Sequence, residues 1–214
     1  MKTRSIIGSV LAAVVIFQSC TKEETAVPQV TLIQSIVKDI PADTIVGLSP
    51  IGQPVGVGKF TFYSLETNAV IPNTDSNSTK WDIGLRGSTI ITNGGTSGPG
   101  KGAAFIYVGT FDELTKVPAD STFRVDAAPN YAITAGSNKG WYLYTPQTNL
   151  VTPLPGRVLV FKTASGKYAK VEILNYYKGG VTPAATAPDN VKIFSQRYFT
   201  FKFAYQADGT TNFK

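Results

Sequence analysis

From about Thr31 onward, apolar residues come in short runs bounded by Gly, Pro or Asn. Val30–Ile33, Lys59–Tyr63, Ser88–Thr92, Ala104–Val108, Trp141–Tyr144, Val158–Phe161, Ala169–Leu174 and Tyr198–Phe203 are rich in β-branched and aromatic residues, the composition that suits a pleated surface. Two runs alternate cleanly. Lys170 and Glu172 oppose Val171 and Ile173, and Tyr198, Thr200 and Lys202 oppose Phe199, Phe201 and Phe203, which predicts a sheet with one wet face. Thr163-Ala164-Ser165-Gly166-Lys167 predicts a turn joining a hairpin over Arg157–Tyr176. No long helical periodicity separates the strands, which argues against a parallel βαβ sheet. One short helix is expected at Phe111–Lys116, stopped by Pro118, and Val181–Asn190 reads as a surface loop. The expected fold is all-β and antiparallel, with residues 31–214 forming a single domain.

The first residues follow another pattern. Lys2 and Arg4 precede an apolar run from Ile6 to Phe17. As a helix at ~1.5 Å per residue that run spans about 18 Å, too short for a bilayer core of roughly 30 Å. Residues 1–19 therefore read as a secretory signal peptide. Its end, Ile16-Phe17-Gln18-Ser19-Cys20, resembles a bacterial lipobox. That likeness makes Cys20 the lipidated first residue of the mature chain, and more than one acyl chain suffices for lasting attachment to a membrane. Thr21-Lys22-Glu23-Glu24 resembles the export signal that sends Bacteroidetes lipoproteins to the outer leaflet. Residues 20–30 are then a flexible tether, and the expected location is the outer membrane, exposed on the cell surface.

Composition removes most catalytic chemistry. The 214 residues contain no histidine, one cysteine and one methionine. Without imidazole or a second thiol there is no Ser-His-Asp triad, no Cys-His pair, no His/Cys zinc site and no internal disulfide. The net charge is +6, two of its basic residues lie in the leader, and the others are scattered. A nucleic-acid reader would show a basic stripe, so nucleic acid is not an expected partner. Gly95-Thr96-Ser97-Gly98-Pro99-Gly100-Lys101-Gly102 has P-loop glycine and lysine spacing, but Gly102 stands where Ser or Thr must hold magnesium, and a strand follows instead of a helix. It reads as a flexible loop. Carboxylates are sparse and form no recognisable pair, so the chain is not expected to be an enzyme. Aromatic residues remain: Trp141, Tyr142 and Tyr144 lie together, as do Tyr176 and Tyr177. Strand alternation puts Tyr142 and Tyr144 on one face. Such rings serve either as ordinary sheet packing or as a platform for a flat apolar ligand.

Lys80-Trp81-Asp82-Ile83-Gly84-Leu85, Thr92-Asn93-Gly94-Gly95-Thr96-Ser97-Gly98 and Gly100-Lys101-Gly102-Ala103-Ala104 resemble the HmuY family of Bacteroidetes haem-binding lipoproteins. The likeness continues through Val117-Pro118-Ala119-Asp120, Gly140-Trp141, Arg157–Phe161, Ala169-Lys170-Val171 and the closing strand. It implies a twisted two-sheet β-fold, haem as cofactor or cargo, and an outer-membrane uptake receptor as partner. The chain also departs from the family. Founding-type members grip haem iron with two histidines, and some relatives use methionines. Here the segment after the Gly-Trp strand reads Thr145-Pro146-Gln147-Thr148, and only Ala127–Lys139 fills the connection that carries the other ligand in the family. Haem, if bound, has no family ligand. Its iron would take a phenolate such as Tyr142 or Tyr144, a lysine amine, or no protein donor, and ferric iron does accept tyrosinate.

Two functions follow. One is a surface lipoprotein, anchored through Cys20, that binds haem or another flat tetrapyrrole on Tyr142 and Tyr144. The other keeps the scaffold without the cargo, as a surface or adhesion protein or as the partner of a TonB-dependent receptor. A hydrolase would instead need a buried Asp or Glu with a perturbed pKa in a cleft.

Overall fold

The structure, a computed structural model, describes residues 32–214. The leader 1–19, Cys20 and the tether 20–30 lie outside the described residues, as do Val30 and Thr31 of the first expected strand. In chain order the strands are β1 (Ile33–Pro41), β2 (Gly47–Leu48), β3 (Pro54–Val55), β4 (Thr61–Ser64), β5 (Ala69–Ile71), β6 (Ile83–Arg86), β7 (Thr89–Thr92), β8 (Ala103–Val108), β9 (Tyr142–Thr145), β10 (Leu150–Pro153), β11 (Arg157–Lys162), β12 (Tyr168–Tyr177) and β13 (Gln196–Gln206). Among the described residues there is one α-helix, α1 (Asp189–Ser195), which leads directly into β13.

Two larger sheets carry the fold. A five-stranded sheet has the order β1-β13-β12-β11-β8 and a four-stranded sheet the order β5-β4-β6-β7, with every pairing antiparallel. Two small hairpins, β9-β10 and β2-β3, complete it. The alternation of β13 decides how the layers meet. Phe199, Phe201 and Phe203 are fully buried and pack with Leu65, Ile83, Leu85 and Ile90 of the smaller sheet's side. Tyr63 meets Phe201 edge-on at 5.5 Å. Burial of each such ring is worth about 1.5–3 kcal/mol. The expected β11–β12 hairpin is present, with Leu159 opposite Val171 and Thr163–Lys167 as its turn.

The opposite face of the large sheet differs from the expectation. It is not a wet face. Val158, Val160 and Ala204 are covered there by Phe111, Leu114, Val117 and Phe213. Lys170, whose neighbours across the sheet are Val160 and Ala204, is therefore only 4% exposed. Its ammonium donates to the carbonyls of Phe111 (2.6 Å) and Leu114 (3.0 Å) and lies 4.1 Å from the Phe111 ring centroid. Burial holds its pKa below the usual lysine range. Glu172 and Lys202 face each other at 2.8 Å and are only partly exposed.

The same cover explains the missing helix at Phe111–Lys116. Thr110 and Glu113 do exchange capping hydrogen bonds. However, Val117 N–H donates to the Thr211 carbonyl and Phe213 N–H to the Thr115 carbonyl. Pairing with the C-terminal segment takes the groups that a second helical turn would need. The helix lies instead at Asp189–Ser195, so the surface segment expected over Val181–Asn190 ends two residues early.

The glycine-rich loop is packed, not flexible. Asn93 is fully buried at its centre: its amide donates to the Ser78 and Trp81 carbonyls (2.8 and 2.7 Å) and accepts from Gly100 N–H (3.0 Å). A Cβ at Gly98 or Gly102 would collide with Asn93, which is why small residues crowd this stretch.

Candidate functional site

Trp141 positions the site. Its ring is buried against Tyr142, Tyr176 and Phe199 at centroid distances of 5.0, 5.3 and 5.1 Å. Its indole N–H donates to the Ser88 carbonyl (2.9 Å), and its carbonyl accepts from Leu154 N–H (2.8 Å). The start of the β9-β10 hairpin is thereby fixed against β12 and β13 of the large sheet and the β6–β7 turn of the small one. Strand alternation then turns Tyr142 and Tyr144 toward one cleft of about 560 Å³, a size typical of small-molecule sites, which span about 300–1,000 Å³. Tyr142 is half-buried, and its phenol oxygen accepts from Ser88 Oγ at 3.3 Å. Tyr144 is 40% exposed and donates to Asn149 Oδ1 at 2.8 Å, while the Asn149 amide donates to Asp189 at the start of α1 (3.0 Å).

The rest of the wall comes from distant parts of the chain. Tyr176 of β12 lies on the floor beside Val151. Burial pushes its phenol well above the ordinary tyrosine pKa despite the opposing pull of the Arg197 guanidinium, so it stands as a neutral O–H. Ser137 enters from the Ala127–Lys139 connection, and Tyr144 and Asn149 flank the turn at Thr145–Thr148. Both segments to which the resemblance assigns iron ligands thus border the cleft, and neither carries imidazole or thioether. Gly52, Gln53 and Pro54, from the arm that contains β2 and β3, close one side.

Arg197 closes the other side. It follows the C-cap of α1 with φ 69°, a left-handed conformation where glycine is the inexpensive residue and any other costs about 1–2 kcal/mol. Its side chain is 17% exposed. Nη1 donates to the Asp43 carbonyl (2.9 Å) and Nη2 to the Pro54 carbonyl (3.4 Å), while the Asp43 carboxylate stands 3.8 Å away. Asp43 and Gly58, which bound the arm, both have positive φ, and Gly58 N–H donates to Asp43 Oδ1 at 2.8 Å.

Sequence reasoning reached Tyr142 and Tyr144 and missed Arg197, Gln53 and the arm. Tyr176 was visible only as half of an aromatic pair. No local pattern marks Arg197, because its position depends on where β13 meets α1. The buried carboxylates lie elsewhere. Asp82 accepts from Leu65 N–H (2.8 Å) and Ala164 N–H (3.0 Å), and burial raises its pKa. Asp126 accepts from Thr92 N–H and Ala132 N–H. Asp82 meets the perturbed-pKa condition for a hydrolase but not the cleft condition. Among the described residues no three His, Cys, Asp or Glu side chains converge as a metal site. The depression beside the glycine-rich loop, between Phe62 and Gly95–Pro99, has among the described residues no charged side chain on its wall to hold a phosphate.

Among solved structures, a candidate lipoprotein from Bacteroides fragilis is similar at 14% identity, over 81% of this chain and 89% of that one, with a TM-score of 0.51. A candidate HmuY-like haem-binding protein from Bacteroides vulgatus is similar at 15% identity, over 84% and 94%, with a TM-score of 0.47. An apo HmuY analogue from Tannerella forsythia is similar at 14% identity, over 82% and 96%, with a TM-score of 0.45. At such identities the first likeness speaks for the fold alone, and that fold is all-β. No curated protein matches the chain. The family model described as HmuY protein matches residues 57–187, more than half of the chain and all of its cleft tyrosines, and the chain therefore belongs to the HmuY family.

Proposed function

We propose that this protein is an outer-membrane lipoprotein, anchored through Cys20 and exposed at the cell surface, that binds haem or a related flat tetrapyrrole in the cleft beside Tyr142 and Tyr144. In this reading residues 1–19 are removed, 20–30 form the tether, 31–214 form one domain, and the chain works as a binding protein without catalysis. The observation that carries it is the cleft itself. A member of this family presents two adjacent tyrosine side chains, with Val151 and Ile193, to a cavity of small-molecule size. Such walls take the faces of a flat apolar ring system, and the phenol tips reach polar edges.

The donor set limits the chemistry. Haem brings an iron that accepts axial donors. The wall offers phenol oxygens on Tyr142 and Tyr144, while Tyr176, held neutral by burial, is a hydrogen-bond donor and not a phenolate. Ligation by phenolate or none at all is consistent with a chain that lacks histidine. The orientation suits capture from outside. β1 begins at Ile33, opposite Tyr205, and ends at Pro41, opposite Tyr198, next to Ala42, whose N–H donates to the carbonyl of Arg197 on the cleft wall. At ~3.3 Å per residue the strand separates the two ends by about 25–30 Å. The cleft is then open to pass cargo to a TonB-dependent receptor.

Titration of the mature protein with ferric haem tests the proposal. A saturable Soret shift that changes on Tyr142→Phe or Tyr144→Phe is expected, and the absence of any shift refutes it. A second reading, a surface or adhesion protein that docks partners without haem, draws on the arm, where Val46 and Ile51 are 65% and 83% exposed. Partner capture that survives full loss of haem binding would favour that reading.

A further inference from the structure

We propose that the cleft is built for a ligand that carries a carboxylate, and that Arg197 is the residue that reads it. This deepens the function proposed above by naming the chemistry at the ligand's edge. The feature that points to it is an arginine that is expensive to keep where it is. Among the described residues Arg197 is the only charged side chain on the cleft wall. It stands at a left-handed position after a helix, where glycine would be free of strain, and its side chain is mostly removed from water.

Its contacts within the protein do not use its full capacity. A guanidinium has five N–H donors in a planar fork. Among the described residues it donates to the carbonyls of Asp43 and Pro54 and also bears on the Tyr176 hydroxyl, which together leave part of the fork unused. The Asp43 carboxylate, at 3.8 Å, is beyond hydrogen-bond distance, and one of its oxygens already accepts from Gly58 N–H. The ion pair is loose. On the Nε side stands Gly87, also on the cleft wall, where a Cβ would come within 3.9 Å of Nε. The absence of that side chain leaves the edge of the fork open to the cleft. Beside it lies the Tyr176 hydroxyl, whose oxygen faces the guanidinium and which keeps its own proton, and the amides of Gln53 and Gln196 complete a polar end. Tyr142, Tyr144, Val151 and Ile193 form the apolar remainder.

Such a wall selects flat, largely apolar molecules with an acidic edge. A carboxylate fits the fork with two parallel hydrogen bonds, and a neutral ester leaves the fork with only the loose Asp43 pair and its unused donors unmatched. The alternative is that Arg197 only latches the arm through Asp43 and Pro54. In that case the acid and its ester bind alike.

The test measures quenching of tryptophan emission by iron-free protoporphyrin IX and by its dimethyl ester, so that iron ligation plays no part. The unmodified protein is expected to prefer the acid by about tenfold or more. Arg197→Gln abolishes the preference, and Arg197→Lys keeps part of it. The contrast in the unmodified protein needs no variant to fold, and melting curves check those that are made. Equal affinity for acid and ester, or a preference that persists in Arg197→Gln, overturns the assignment. A parallel pair, pyrenebutyrate and its methyl ester, separates the two proposals. If neither porphyrin binds but pyrenebutyrate binds through Arg197, the tetrapyrrole reading fails and the carboxylate site stands. If no acid binds in preference to its ester, the carboxylate site fails, whatever ferric haem does.

Discussion

Replacing Asn93 separates two kinds of cost in the glycine-rich loop. The side chain makes three hydrogen bonds in a fully buried setting, two as donor to the Ser78 and Trp81 carbonyls and one as acceptor from Gly100 N–H. At about 1 kcal/mol net for each, and more where a buried carbonyl is left unpaired, Asn93→Ala is expected to cost about 3–4 kcal/mol. For a chain of this size that lowers Tm by about 6–15 °C. Asn93→Asp keeps the shape and the acceptor but turns a carboxylate toward two carbonyl oxygens at 2.8 and 2.7 Å. At pH 7 it should be the worse variant, because both donors are lost and two acceptor pairs repel. Protonation restores one donor, so the new carboxyl has a raised pKa in the folded state. A raised acid pKa adds stability as pH falls through the folded value, so the gap to the parent protein narrows in acid. Urea unfolding at pH 7 and at pH 4, with hydrogen exchange of the Gly100 amide, measures both effects. If Asn93→Asp lies within about 0.5 kcal/mol of the parent at pH 7, or does not recover in acid, this account of the loop is wrong.

Other expectations use other parts of the molecule. Lys170→Met strands the Phe111 and Leu114 carbonyls and removes a cation from the Phe111 face. It should cost about 2–4 kcal/mol and first raise exchange at the Val117 and Phe213 amides, and unchanged stability would contradict the role given to this lysine. Burial pushes the Tyr63 phenol up to about 12 and also raises Tyr176, Tyr177 and Tyr205. The unfolded chain gives up these protons near pH 10 while the folded chain retains them, so stability should fall as pH rises from about 10 to 12. Tyrosinate absorbance followed alongside unfolding checks this, and ten tyrosines titrating together without loss of stability would refute it. Tyr144→Ala removes a half-exposed ring from the cleft and should weaken protoporphyrin binding about tenfold while leaving Tm nearly unchanged. Tyr142→Ala should weaken both binding and stability, because that ring also packs on Trp141. Calorimetry and melting curves separate the two variants, and equal effects on Tm would be inconsistent with this packing.

Strand composition, the β11–β12 turn and the Phe199, Phe201, Phe203 stripe were readable because a strand's two faces follow from a period of two, a local property. Exclusion of imidazole chemistry and of an internal disulfide was readable because no fold can supply an absent side chain. The pairing of Tyr142 with Tyr144 belongs to the same class, being two residues on one strand. The opposite holds for Lys170, which the alternation assigned to water. Its burial depends on Phe111 and Phe213 arriving from segments far from it in sequence. The helix expected at Phe111–Lys116 was lost to the same meeting, since the Thr115 carbonyl pairs with Phe213 and the N–H of the following Val117 with Thr211. Arg197 is the extreme case: its neighbours Asp43, Pro54 and Gly87 are more than a hundred residues away. Periodicity reports which way a side chain turns from its own strand. What comes to meet that side chain is set by chain segments that local pattern does not connect, and the cleft is made of such meetings.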